Sequence, residues 1–276
     1  MKTSTSKRLR WNVAIWLAAG LFMTSTAGMA AGPILPDPKA EARHQPQVEE
    51  TANGIPLVNI TAPSSGGVSR NEYEMFNVPD KGAILNNSYT LSKTELAGYV
   101  PGNNNMAERP AKIIVNEVTG AGSTSMDGFL EVAGNRADVV IANPNGITVN
   151  GGGFINTGKA FLTTGKPVYD GEDHLQRFDI TGGDILIEGK GLGGKETGSL
   201  AILSRAVKIN AGIWAKDLHI TTGANSIDAK TLEASAIEGK GGHPAFALDT
   251  AAIGGMYAGR ITLVGTEKGL GEIGRA

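Results

Sequence analysis

The chain has 276 residues, no cysteine and a formal net charge of -2. Without the N-terminal bases Lys2, Lys7, Arg8 and Arg10, 21 basic residues face 27 acidic ones, a balance of -6. That sign argues against a nucleic-acid partner, and the lack of cysteine excludes disulfides and thiolate metal sites. The 39 glycines and 5% aromatic content favour short strands and tight turns over a helical bundle.

Residues 1–30 read as a signal peptide. Met1 to Arg10 is basic, Trp11 to Met23 is apolar, and Thr24 to Ala30 is rich in small residues. Cleavage fits after Ala30, with Gly28 and Ala30 as the small residues, or after Ala27. The apolar run is shorter than the roughly 20 residues needed to span a bilayer. No later segment is apolar enough to cross one, so the mature chain is expected to be exported without a transmembrane segment.

Residues 31–52 are rich in Pro, Glu, Lys and Gln and are expected to form an exposed, poorly ordered extension. Order is expected to start near Gly54. Residues 54–102 are irregular, and Leu91 to Tyr99 is a weak helix candidate, with Ser92 as cap and Glu95 three residues on. From about residue 103, β-branched triplets alternate with Asn-Gly and Gly-Gly turns. They include Ile113-Ile114-Val115, Val139-Val140-Ile141, Ile147-Thr148-Val149, Ile185-Leu186-Ile187, Val207-Lys208-Ile209, Leu218-His219-Ile220 and Ile261-Thr262-Leu263. Their recurrence about every 18 to 22 residues matches the coil of a β-solenoid. A sandwich also gives short strands, but its core usually carries more aromatics. A solenoid needs a cap on its open end, and residues 54–102 are the candidate.

Asn143-Pro144-Asn145-Gly146-Ile147 is the sharpest motif. Asn-Pro and Asn-Gly both form turns, so a corner between strands is the first expectation. Asn86, Asn87, Asn116 and Asn156 are expected at turns or in side-chain ladders, and Asn103 to Asn105 likewise. Arg205 reads as a solvated strand-end charge, and Trp214 as packed in the core or a groove. The densest acidic group, Asp170, Glu172, Asp173 and His174, reads as a solvated loop. The four histidines show no metal-ligand spacing. Lys190 to Lys195 lacks the Walker spacing. No catalysis, metal or cofactor is expected.

Val115-Asn116-Glu117-Val118-Thr119, Glu131-Val132-Ala133-Gly134 and Ala137 to Ile147 follow in order, then Gly153 to Thr157 and Leu162 to Gly165. Upstream stand Phe76-Asn77-Val78 and Leu85-Asn86-Asn87-Ser88. Downstream stand Gly182 to Ile185, Ala201 to Arg205, Gly212 to Ala215 and Leu263 to Glu267. This series resembles the secretion domain of two-partner secretion exoproteins, the filamentous haemagglutinins and contact-dependent growth inhibition toxins. The resemblance spans nearly the whole mature chain, with the secretion domain expected over residues 53–276. One departure is that Gly122-Ser123-Thr124 stands where the family often has an earlier Asn-Pro.

The resemblance implies an all-β, right-handed parallel β-helix with a β-rich N-terminal cap. It implies recognition in the periplasm by an outer-membrane transporter of the Omp85 type, with Asn143 to Ile147 as the segment read, and folding at the surface of a Gram-negative cell. The parent role is then adhesion, haemagglutination or toxin delivery. Because such proteins are usually far longer, more coils are expected after Ala276. The alternative is an autonomous adhesin domain binding a glycan or receptor on a host or bacterial surface.

Overall fold

The computed structural model describes residues 33–107, 109–194, 197–250, 255–267 and 272–274. The signal-peptide segment lies outside them. The first strands are β1 (Ile34–Pro36), β2 (Gln47–Glu50), β3 (Pro56–Asn59), β4 (Val68–Phe76), β5 (Ala83–Asn87), β6 (Ser92–Thr94), β7 (Gly98–Val100) and β8 (Ile113–Val118). Two successive coils follow, β9 (Thr124–Met126), β10 (Phe129–Gly134) and β11 (Ala137–Ala142), then β12 (Ile147–Val149), β13 (Gly152–Ile155) and β14 (Thr157–Thr163). After an inserted hairpin, β15 (Lys166–Tyr169) and β16 (Leu175–Ile180), come β17 (Asp184–Ile187), β18 (Leu192–Gly194) and β19 (Ser199–Ser204). Next are β20 (Ala206–Ile209) and β21 (Gly212–Thr222), a second insertion with β22 (Asn225–Asp228) and β23 (Ala234–Ala236), and finally β24 (Leu248–Thr250), β25 (Gly255–Gly265) and β26 (Glu272–Gly274).

The coils stack into three parallel faces. β9, β12, β17, β20, β24 and β26 pair in register as one face. β3, β5, β10, β13 and β18 form the second, and β4, β8, β11, β14 and β19 the third. The long β21 pairs with both β18 and β19 and so joins these two faces. This is the parallel β-helix expected from the triplets, each of which lies in a strand. Ile147 pairs with Thr124, 23 residues earlier, and Val207 with Ile185, 22 earlier. Where an insertion intervenes, Ile147 pairs with Ile185, 38 residues on.

Alternation explains the core. Val139 and Ile141 of β11 point into the helix beside Ile114 and Leu162. Val140 and Ala142 point outward, yet they are buried too. The two insertions combine as an antiparallel sheet, β15-β16-β22-β23. That sheet lays Phe178, Ile180 and Ile227 over Val140, Phe161 and Leu203. Outward apolar residues therefore mark an external cover, which period-2 reasoning alone does not foresee.

Three expectations are corrected. Residues 34–50 are not an exposed, poorly ordered extension. β1 pairs antiparallel with β4, β2 pairs antiparallel with β3, and Ile34 and His44 are buried. They close one edge of each of two faces, whereas β3, β4 and β5 already run parallel with the coils. The capping strands thus begin earlier than residue 54. Leu91 to Tyr99 is not helical but forms the β6-β7 hairpin, which covers Ile84 and Ala133 with Val100 and Leu96. Gly98 has φ +70°, a left-handed value that the hairpin turn uses and a helix does not.

Candidate functional site

Asn143 to Ile147 forms the corner between β11 and β12. The Asn145 backbone N–H donates to Asn143 Oδ1 at 2.9 Å, and Gly146 N–H donates to the Asn143 carbonyl at 3.1 Å. An Asn side chain that mimics a backbone turn in this way fixes the bend locally. Asn143 Nδ2 donates to Gly122 O at 2.9 Å and to Thr124 Oγ1 at 3.0 Å, tying the corner to the preceding coil. Gly122 to Thr124, where the family's earlier Asn-Pro is missing, is therefore the acceptor of the later motif. Asn145 Nδ2 donates to Gly120 O at 2.8 Å. Gly146 has φ +109°, and a Cβ there would stand 3.0 Å from Asp184 O of the next coil. Asn143, Gly146 and Ile147 are buried, Pro144 is half-buried and Asn145 is exposed. Beside the corner lies a shallow depression of about 440 Å³, lined by Asn145, Gly146, Asp184, Leu186, Lys208 and Phe246.

The other asparagines serve different bonds. Asn86 Nδ2 donates to Asn59 Oδ1 at 2.8 Å, a true side-chain ladder between β3 and β5. Asn87 donates to Ala111 O and Asn135 O and accepts from Ala111 N–H at 2.7 Å. Asn116 points into the core, donates to Val140 O and accepts from Tyr73 OH at 3.0 Å. Asn156 has φ +53° at the β13-β14 corner and donates to Val132 O and Gly134 O one coil earlier. Asn tolerates that left-handed backbone better than other non-glycine residues.

Two charge clusters escaped the sequence reading. Arg205 is not solvated. It is 6% exposed, with Nε and Nη2 at 3.0 and 2.7 Å from the Glu267 carboxylate and Nη1 donating to Lys240 O. The Arg205 hydrogen bonds pull the Glu267 carboxyl down to about 2. The acidic loop is not simply solvated either. Asp173 Oδ2 is 2.8 Å from Arg43 and 3.7 Å from His44, and its Oδ1 is 4.0 Å from Arg70. Arg70 also meets Glu72 at 2.9 Å and Glu117 at 3.5 Å, and its guanidinium lies 4.4 Å from the Tyr169 ring centroid. Burial pushes the Glu117 carboxyl up to about 7, against the pull of Arg70. The only sequence signal for this cluster is Arg70 and Glu72 at outward positions of β4, one strand from Glu117. The partners on Arg43, His44 and Asp173 arrive from remote segments.

Among the described residues no group of three His, Asp or Glu is placed to hold a metal ion. No helix there is long and apolar enough to cross a membrane. Trp214 lies on the outer surface of its strand, stacked on Tyr257 with ring centroids 5.8 Å apart, rather than inside the helix.

The chain is thus a capped parallel β-helix whose polar corners are bonded coil to coil. Residues 33–273 match the family model of the TPS secretion domain, and the chain belongs to that family. It is 46% identical over 244 residues to the toxin CdiA of Yersinia pestis and 47% identical over 247 residues to the 16S rRNA endonuclease CdiA of Enterobacter cloacae. Each match covers 88% of this chain and only 7% of the relative's length. The fold is similar to the crystal structure of the filamentous hemagglutinin secretion domain, with TM-score 0.79 and 34% identity over 87% of this chain and 80% of that one. The TPS domain is a secretion module and not a catalytic one, and the nuclease in a relative's name belongs to that full-length protein. A TPS domain implies an outer-membrane transporter as partner and a destination at or beyond the cell surface.

Proposed function

We propose that this chain is exported through its N-terminal signal segment and read by an Omp85-type outer-membrane transporter while unfolded. It then nucleates the β-helix of an adhesin or contact-dependent toxin outside the cell. The observation that carries this reading is the closed start of the coil stack. β1 and β2 close its first edges with antiparallel pairs, so coils are added in one direction only, and stacked repeats add one neighbour at a time.

Burial of the corner supports recognition before folding. Asn143 and Ile147 are spent on the folded corner and offer a partner nothing, whereas in the extended chain the whole motif is accessible. The test is binding of the transporter's periplasmic domains to the chain held unfolded and to the folded domain. Tight binding of the unfolded chain, weakened by Asn143→Ala, supports the reading. Equal binding of the folded domain contradicts it.

A second reading, a glycan-binding surface, draws on one row of residues. Phe129, Gly153, Gly193, Trp214 and Tyr257 occupy successive register positions on one face. The Phe129 ring lies over the Gly153 position, and the Trp214 ring over Gly212. Flat aromatic faces on a glycine floor suit stacking by sugar rings. Glycan-array binding lost on Phe129→Ala and Tyr257→Ala supports it, and an array without signal removes it.

A further inference from the structure

The N-terminal strap, residues 34–50, reaches two faces of the helix through β1 and β2, and its 3-10 turn at Ala42–His44 sits between them. His44 is 4% exposed in that turn. Its Nδ1 is 3.1 Å from Glu72 Oε1, and its Nε2 is 3.7 Å from Asp173 Oδ2. Both ring nitrogens face carboxylate oxygens, and only the imidazolium carries a proton on each.

The surrounding charges come from five segments. The turn itself brings Glu41 and Arg43, which pair with each other, and Arg43 also reaches Asp173 from the solvent side. β4 brings Arg70 and Glu72, and β8 brings Glu117. β15 brings Tyr169 over Arg70, with Lys166 near Glu117. The following loop brings Asp173, together with Asp170 and Glu172, which both face His174. The largely buried set therefore holds three carboxyl groups, Glu72, Glu117 and Asp173, around one buried permanent cation, Arg70, with Arg43 reaching Asp173 from the solvent side. A neutral His44 leaves that set short of positive charge in a site shielded from water, where like charges repel most.

We propose that His44 is a proton-operated fastener whose imidazolium holds the N-terminal strap closed on β4 and on the 170–174 loop, and whose deprotonation loosens the strap. Arg43 and Asp173 are 130 residues apart in sequence, so the fastener engages only after the β15-β16 insertion has folded. The strap is thus sealed by coils that form well after it. Glu117 acts in the same sense. Burial favours its neutral form, so a rise in pH through about 7 adds a further negative charge beside Glu72.

The test is amide hydrogen exchange of the purified chain at about pH 5.5 and about pH 8, corrected for the intrinsic rate, with the strap compared with β11 and β14. The strap is expected to open about tenfold more readily at the higher pH while the coils stay unchanged. His44→Gln is expected to open readily at both. Nuclear magnetic resonance of the His44 ring in the unaltered chain gives a reading that needs no variant. Its titration must coincide with the loss of strap protection. Equal protection at both pH values overturns the proposal. So does a pH dependence that keeps its full size in His44→Gln, or one abolished by Glu117→Gln alone.

Discussion

Asn143 Nδ2 donates to the Gly122 carbonyl at 2.9 Å, so the corner of one coil is bonded to the corner before it. A second donor bond to Thr124 and acceptor bonds from Asn145 N–H and Asn145 Nδ2 leave no spare valence on this buried side chain. Asn143→Ala strands several of these groups, at a cost of about 2–3 kcal/mol. Urea unfolding is expected to show that loss with little change in slope.

Gly146→Val and Asn145→Ala separate geometry from contact. Valine at φ +109° is strained and meets Asp184 O, so a loss of about 2 kcal/mol or more is expected. Asn145 is exposed and forfeits its bonds to Gly120 O and Asn143 Oδ1, together worth about 1 kcal/mol at an exposed side chain. In export assays Asn145→Ala is therefore the informative variant. If secretion falls while melting stays near normal, the side chain is read by the transporter. If secretion is unchanged, it is not.

The all-β class, the stacked triplets and the turn character of Asn143 to Ile147 were legible because β-helix coils repeat local signals. Ile147-Thr148-Val149 alternates inward and outward in three residues, and Asn-Gly announces its own bend. The insertions were not legible. Leu175 to Ile180 reads as one more strand, and nothing local says that Phe178 covers Phe161 of another face. Arg205 and Asp173 were misread for the same reason. Their partners Glu267 and His44 lie 62 and 129 residues away, and sequence spacing carries no information about such ion pairs.

Glu117 gives a pH dependence whose sign is fixed. Its folded carboxyl is raised to about 7 from an ordinary 4.5. Its contribution is therefore fully present below about pH 4.5 and is lost as pH rises through about 7. Glu117→Gln is expected to stabilise the domain by about 1–3 kcal/mol at pH 8 and to change little at pH 4. Thermal melts across that range check this.

Glu267 gives the opposite sign. Its carboxyl is held down at about 2 by Arg205, so its contribution is present above about pH 4.5 and is lost as pH falls toward 2. Arg205→Met leaves a largely buried carboxylate with only His243 as a side-chain partner, at a cost of about 2–3 kcal/mol near neutrality. Acid unfolding of Glu267→Gln is expected to be flatter through that window.

Glu131 ties down the external hairpin. Its two oxygens accept from Glu95 N–H at 2.7 Å and Leu96 N–H at 2.9 Å. Glu131→Ala is expected to speed hydrogen exchange in β6 and β7 at least tenfold, since two charge-assisted bonds are lost. Exchange in β11 and β14 is expected to stay unchanged. Uniform acceleration across all strands contradicts this local role.

The central claim is that the chain crosses the outer membrane unfolded and forms its coils outside. Lys159 and Ser199 are register partners on adjacent coils, at the roughly 4.8 Å spacing that a disulfide can bridge. The deciding measurement is surface appearance of Lys159→Cys/Ser199→Cys, expressed with its transporter in an oxidising periplasm with and without reductant. The account predicts arrest on the periplasmic side under oxidation and release at the normal rate once the disulfide is reduced. Oxidised, folded protein reaching the surface at the unmodified rate contradicts it.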